Sequence, residues 1–279
     1  MVSIALTGAT GFVGRQILRF LAERGHNVRL IVRVGEGRAL DVGASTVELV
    51  NTTDLFAESI ERLCDMLEGI DTLIHAAWYA EPGKYLTSPL NVDCLNGSIR
   101  LAQAFQMSGG RRFVGVGSCA EYDLDAGVLK TVTPLRPGTL YAACKASAYL
   151  VLSHLLPSEK IEFVWCRLFY LFGEGEDPRR LVPYLHQQLS AGVPVELTSG
   201  NQIRDFLDVR VAGAMIAETA IGNYQGPINI CSGVPVTVRQ LAERIADEYG
   251  RRDLLRFGVR PDNLFDPPCV VGVPESIRP

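Results

Sequence analysis

The segment Thr7-Gly8-Ala9-Thr10-Gly11-Phe12-Val13-Gly14 constrains this chain more than any other stretch. It follows an apolar run at 2–6 that reads as a buried first strand. It opens an amphipathic stretch at 15–24, with Ile17, Leu18, Phe20 and Leu21 on one face. Glycines in G-x-x-G-x-x-G spacing permit a tight turn and let backbone N–H groups at the helix N-terminus approach a pyrophosphate. Glycines alone would fit any strand-to-helix connection. Strand, turn and helix together point to dinucleotide binding by Gly8, Thr10, Gly11, Phe12, Val13 and Gly14.

The rest of the chain extends the pattern. Further strands are predicted at 28–33, 47–50, 71–77, 112–116 and 161–166, with helices at 59–67, 90–107 and 141–155. Strands alternating with helices predict an α/β fold, a doubly wound parallel sheet of Rossmann type. After residue 167 the elements shorten: helices at 181–191, 211–221 and 238–249, extended segments at 193–197 and 202–209, and a strand at 228–230 that returns to the main sheet. Pro261, Pro267, Pro268 and Pro274 mark a loop-rich end. The expectation is a dinucleotide-binding domain from 1–167 and 205–231, and a smaller, discontinuous α/β substrate lobe from 168–204 and 232–279. Ligands in open α/β sheets lie beyond the carboxyl ends of the strands, so the cleft between the lobes is where substrate belongs.

Composition sets bounds. A length of 279 residues, 47% of them hydrophobic, is enough for a full core. A net charge of −4 speaks against a general nucleic-acid binder. Seven cysteines are scattered without a C-x-x-C pair, so reduced, buried thiols and a cytoplasmic setting are expected. The four histidines have no metal-ligand spacing, and no metal centre is expected. No signal peptide is read before the first strand, and no apolar run reaches the ~18–20 residues that span a bilayer.

At the cofactor's adenosine end, an acidic residue after the second strand suits the ribose of NAD, and an arginine suits the 2′-phosphate of NADP. Arg33 ends that strand and Arg38 follows closely, so NADP(H) is favoured over NAD(H). A solvated arginine at a strand end is the plain alternative. Asp54 and Leu55, after the third strand, are placed to bracket an adenine edge, although Asp54 would serve equally as a helix N-cap. Ala76 and Ala77 end the fourth strand beside the glycine turn.

Tyr141-Ala142-Ala143-Cys144-Lys145 stacks a phenol and an ammonium one turn apart on a helix. A free phenol ionises near ~10, so work at neutral pH asks for a bias of roughly 3 units toward phenolate, which a neighbouring lysine together with the positive nicotinamide of an oxidised cofactor can supply. Ser118 follows the fifth strand, where a hydroxyl could align a reacting oxygen.

These motifs together resemble an extended short-chain dehydrogenase/reductase of the NAD-dependent epimerase/dehydratase family. The resemblance spans nearly the whole chain: T-G-A-T-G-F-V-G at 7–14, H-A-A at 75–77, Asn91, G-S-C-A-E-Y at 117–122, Y-A-A-C-K at 141–145 and R-D-F-L-D-V at 204–209. It implies a catalytic set of Ser118, Tyr141 and Lys145 supported by Asn91, with Tyr141 and Lys145 also contacting the cofactor. It further implies a nucleotide-diphosphate sugar substrate gripped by Arg204, with Ser118, Cys119, Tyr170 and Arg180 nearby. A homodimer through the helices at 90–107 and 141–155 is implied as well. The chain ends early for the family, and an effect on the substrate lobe is expected.

Departures from the family pattern narrow the chemistry. Ser118-Cys119-Ala120 stands where 4,6-dehydratases carry Thr-Asp-Glu, so water elimination is discounted. Ala120 and Arg180 replace the cysteine and histidine of epimerase-reductases acting at carbons 3 and 5. Asp123 and Arg210 stand where the family has glycine and aspartate, with no functional account from sequence. The expectation is an NADPH-dependent ketoreductase acting at carbon 4 of a nucleotide-linked 4-keto-6-deoxyhexose. A 4-epimerase with tightly held NAD and a non-catalytic NADP-sensing protein are the alternatives. Retention of the Tyr141–Lys145 pair weighs against the last.

Overall fold

Short apolar runs, whose successive side chains point to opposite faces, organise the larger part of the chain into a main sheet buried on both faces. The structure is a computed structural model that describes residues 3–35, 47–263 and 266–275. Seven parallel strands form the large sheet: β1 (Ile4–Thr7), β2 (Val28–Arg33), β3 (Val47–Thr52), β4 (Thr72–His75), β5 (Arg112–Ser118), β7 (Glu162–Leu168) and β11 (Gly226–Ile230). Their order is β11-β7-β5-β4-β1-β2-β3, so the winding reverses between β1 and β4. Ile4, Leu6, Leu30, Ile74, Val114, Val164 and Ile228 face α1 (Phe12–Glu23) and α6 (Val209–Ile221). Ala5, Ile31, Leu73, Phe113 and Trp165 face the opposite layer of α2 (Ile60–Leu67), α3 (Leu90–Met107) and α4 (Leu140–Ser158). Burying each aliphatic or aromatic side chain stabilises the fold by about 1.5–3 kcal/mol.

The return of 228–230 to the main sheet is seen in β11, which pairs with β7 in parallel register, Ile228 opposite Cys166. Other segments differ from the sequence reading. The first helix starts at Phe12, directly from the glycine turn, not at residue 15. The extended stretch at 202–209 is β10 (Ile203–Asp208), and it belongs to a second sheet with β12 (Pro235–Thr237), β14 (Cys269–Gly272) and β6 (Val128–Leu129). Thus the loop-rich end contains a strand, and residues 128–129 reach across to join it. These strands are two to six residues long and pair only with distant segments, which no local periodicity announces.

Tyr170–Phe172 forms β8, which pairs with β10. A third unit packs α5 (Leu181–Ser190) on α7 (Val238–Glu248), with Val182, Leu185, Leu189, Ala242, Ile245 and Ala246 buried between them. Beside it β9 (Val195–Glu196) pairs with β13 (Leu255–Arg256). Among the described residues no helix is long and apolar enough to cross a membrane, and no group of three or more His, Cys, Asp or Glu could hold a metal ion.

Candidate active site

The glycine turn is shaped by contacts that exclude side chains. Gly8 has φ +76°, and a Cβ there would lie 2.7 Å from the Ala77 nitrogen. A Cβ on Gly14 would lie 2.0 Å from the Gly8 carbonyl oxygen. Strand, helix and the Ala76-Ala77 end of β4 therefore meet backbone to backbone. Gly11 is the N-cap of α1 and offers no side-chain cap, and no acidic residue sits in the first turn. The helix end thus presents bare N–H groups and the positive end of its dipole. The cradle fits a dinucleotide pyrophosphate.

A buried polar chain fixes this cradle. Thr7 Oγ1 lies 2.8 Å from His75 Nδ1 and accepts the Ala77 N–H at 3.3 Å. His75 Nε2 lies 2.8 Å from Ser98 Oγ, whose own proton goes to the Cys94 carbonyl at 2.6 Å. That commitment assigns the ring proton to Nε2 and makes Nδ1 the acceptor of the Thr7 hydroxyl. Burial, with Lys145 nearby, holds the imidazole pKa down to about 3.

The residues flanking the adenosine end are placed separately. Arg33 is exposed at the end of β2; Arg38 lies outside the described residues. Asp54 does not cap α2. Its Oδ1 accepts the Phe56 N–H at 3.0 Å in a local turn, while Ser59 caps α2 through the Arg62 N–H. Leu55 packs into the core.

Ser118, Tyr141 and Lys145 converge at the carboxyl end of β5. Ser118 ends that strand; its hydroxyl accepts the Ala120 N–H at 3.2 Å and is the neighbour that draws the Tyr141 phenol pKa down. Thr139 caps α4 by accepting the Ala142 N–H at 3.2 Å, which sets Tyr141 in the first turn and Lys145 one turn on. In the protein alone burial pushes the phenol pKa up, Tyr85 adds to the rise, and Ser118 opposes it. Lys145 Nζ instead donates to the Val116 carbonyl at 2.6 Å and lies 3.8 Å from the Trp78 ring centre. Burial lowers its pKa to about 7, against the pull of Glu121 and Cys94.

Asn91 is fully buried but bonds to neither Tyr141 nor Lys145 in the structure. Its Nδ2 donates to the carbonyls of Tyr85 and Ser88 at 2.6 and 2.8 Å, and its Oδ1 accepts the Trp78 indole N–H at 2.9 Å. It therefore holds the loop that carries Trp78 and Tyr85 against the phenol; the Tyr85 and Tyr141 rings meet edge-on at 4.8 Å.

On the far side, Cys119 is buried in an apolar cluster with Phe169, Cys231 and Val270, and burial pushes its thiol up to about 12. Arg204 is 3% exposed, pairs with Asp266 at 2.7 Å and lies 5.2 Å from the Tyr170 ring. Arg180 is exposed at the N-cap of α5. Asp123 and Arg210 have local roles: Asp123 accepts the Asp125 N–H, and Arg210 pairs with Asp208, the N-cap of α6.

The sequence reading passed over Glu121 and Arg167. Glu121 is completely buried, receives Arg167 Nε at 2.7 Å and the Trp165 indole N–H at 3.0 Å, and accepts the Ser118 backbone N–H at 2.7 Å. Arg167 also donates to Tyr122, whose hydroxyl donates to Asn229. Gly117 makes room for this group, since a Cβ there would meet Trp165 Nε1 at 2.2 Å. A lone carboxylate in the otherwise uncharged G-S-C-A-E-Y segment was the available signal.

Similarity to known proteins matches this geometry. The chain is 26% identical over 278 residues to a dTDP-6-deoxy-L-talose 4-dehydrogenase (NAD(+)) of Aggregatibacter actinomycetemcomitans, covering 97% of this chain and 99% of that one. A UDP-N-acetylglucosamine 4-epimerase from Methanobrevibacter ruminantium M1, in complex with UDP-N-acetylmuramic acid, superposes with TM-score 0.85 at 23% identity, covering 98% and 89% of the two chains. The dTDP-glucose 4,6-dehydratase DesIV of Streptomyces venezuelae, with NAD bound, superposes with TM-score 0.83 at 21% identity, covering 98% and 88%. Residues 4–230 match the NAD dependent epimerase/dehydratase family. With that match, the parallel sheet and the glycine cradle, the chain belongs to the NAD dependent epimerase/dehydratase family.

Proposed function

We propose that this protein is an oxidoreductase that interconverts a ketone and an alcohol at carbon 4 of a nucleotide-linked 6-deoxy sugar, with NADP(H) as the favoured cofactor. The observation that carries the reading is the convergence of Ser118 and Tyr141 at the carboxyl end of β5, with Lys145 one turn on, bonded to the Val116 carbonyl of that strand, and the glycine cradle beside it. The name of the Aggregatibacter relative supports carbon 4 and a 6-deoxy sugar. Cys119 and Ala120 in place of an Asp-Glu pair disfavour elimination, because no acid or base stands there to remove water. Arg33 supports NADP(H), and the NAD(+) in that relative's name makes NAD(H) the competing outcome.

In this reading the large sheet with its helices holds the cofactor, and the smaller sheets with α5 and α7 hold the sugar nucleotide. When bound, the nicotinamide supplies the hydride for reduction. Gly8, Gly11 and Gly14 admit the pyrophosphate to the end of α1. Tyr141 gives its proton to the carbonyl oxygen as negative charge develops there, and Ser118 aligns that oxygen. The high pKa of the buried phenol keeps it protonated until then. Lys145 favours the phenolate left behind. Arg204 belongs to the diphosphate contacts, which requires the guanidinium to exchange Asp266 for the ligand.

The test is oxidation of NADPH and of NADH, followed at the nicotinamide absorbance, over 4-keto-6-deoxy sugars on different nucleotides. UDP-galactose interconversion is the control for epimerisation. Turnover of a 4-keto-6-deoxy sugar supports the reading. Interconversion without net cofactor oxidation would replace it with the epimerase.

A further inference from the structure

The Tyr141–Lys145 pair has a third neighbour that touches both members. Trp78 directly follows Ala77, at the carboxyl end of β4. Its ring face carries the Lys145 ammonium at 3.8 Å, and it meets the Tyr141 ring in a T-shaped contact at 6.5 Å and 84°. Its N–H is anchored on Asn91, whose other bonds tie down Tyr85 and Ser88. The ammonium is buried, with the Val116 carbonyl its one hydrogen-bonded partner among the described residues. A buried ammonium with so few acceptors gains most from an aromatic face.

We infer that Trp78 is a positioning residue, which holds the Lys145 side chain at the phenol and keeps it charged through its indole face, with Asn91 fixing the indole. This assigns Asn91 an action through Trp78 and Tyr85 rather than on the reacting atoms. The groups that act on the ammonium are Glu121 from the turn after β5, Cys94 from α3 and His75 from β4; Tyr141 stands one turn earlier on its own helix. Glu121 and Cys94 favour the charged form, and His75 is neutral, so the indole adds to Glu121 in opposing burial.

The kinetic consequence rests on the proposed reduction, but the contact can be tested without turnover. The chain has two tryptophans, so the difference in emission between wild type and Trp78→Phe isolates Trp78. That difference is expected to titrate with a midpoint near the lowered Lys145 pKa of about 7, and to stop titrating in Lys145→Met. A flat difference, or the same titration in Lys145→Met, overturns the inference.

In turnover, Trp78→Leu is expected to lower kcat by about tenfold with little change in KM for the sugar. It is also expected to move the alkaline limb of the pH profile to lower pH, because losing the indole face makes the ammonium give up its proton more easily. Trp78→Phe keeps a ring face and is expected to restore the limb. An equal loss at every pH in Trp78→Leu, with the limb unmoved, would mean a merely structural residue and overturns the inference. Titrating emission with no turnover of any 4-keto sugar would sustain the contact and defeat the proposed function instead.

Discussion

Glu121 and Arg167 form an ion pair at 2.7 Å, with side chains 0% and 1% exposed, under the strand end that carries Ser118. One oxygen of the carboxylate takes the Ser118 backbone N–H, and both take the Trp165 indole. The Arg167 guanidinium also lies over the rings of Tyr122 and Tyr149, 4.6 and 4.3 Å from their centres. A buried pair of this kind contributes little over a well-packed apolar substitute, but breaking it strands a charge. Glu121→Gln is expected to destabilise the fold by about 3–5 kcal/mol, read as a fall in the urea midpoint. Wild-type stability in that variant would mean that Arg167 finds another partner.

Tyr141→Phe removes the proposed proton donor and leaves the ring packing on Tyr85 intact. Turnover is expected to fall by about 10²–10⁴-fold with cofactor affinity retained, measured by steady-state kinetics and by cofactor fluorescence titration. Near-normal turnover would remove Tyr141 from the chemistry.

Gly14→Ala places a methyl 2.0 Å from the Gly8 carbonyl oxygen, against backbone that has no side chain to swing aside. Both thermal stability and cofactor affinity are expected to drop, seen as a lower Tm that added cofactor fails to restore. A substitution at Gly25, which has open space around it, tests φ +73° strain alone and is expected to leave cofactor affinity unchanged.

Arg33→Ala is expected to raise KM for NADPH far more than for NADH, since only the former carries the phosphate that an exposed guanidinium would meet. An equal effect on both cofactors would set Arg33 aside and favour NAD(H).

His75 is held neutral by burial, with a pKa of about 3 against 6.5 when free. Its folded value lies below its unfolded one, so below about 6.5 the unfolded chain binds the extra proton. The stability it contributes is complete above that pH and is lost as the pH falls toward 3, with a slope approaching about 1.4 kcal/mol per pH unit. His75→Gln is expected to flatten the dependence of the urea midpoint on pH in that window. An unchanged slope would assign the acid sensitivity to other groups.

The large sheet was legible because most of its strands are short apolar runs, as buried parallel strands are, set between longer amphipathic helices. Local order is enough to show that pattern. The second sheet was not: β6 and β14 are short, come from distant parts of the chain, and exist only because they pair. Glu121 read as one more residue before a tyrosine, since its partner Arg167 lies 46 positions away. Asn91 was expected to support the Tyr141–Lys145 pair, but its bonds to the Trp78 indole and the Tyr85 carbonyl are not written in any spacing.

Residue order alone therefore determined the parallel sheet, the glycine cradle at Gly8 to Gly14 and the helical stacking of Tyr141 on Lys145. Each depends on neighbours within a few positions, where backbone geometry leaves little choice. Tertiary structure decided where the Lys145 charge rests, how protonated the phenol stays and what lies beneath Ser118. Those are set by burial and by groups brought together from β4, β5, β7 and α3, and electrostatic energy in a dry interior depends on distance in space.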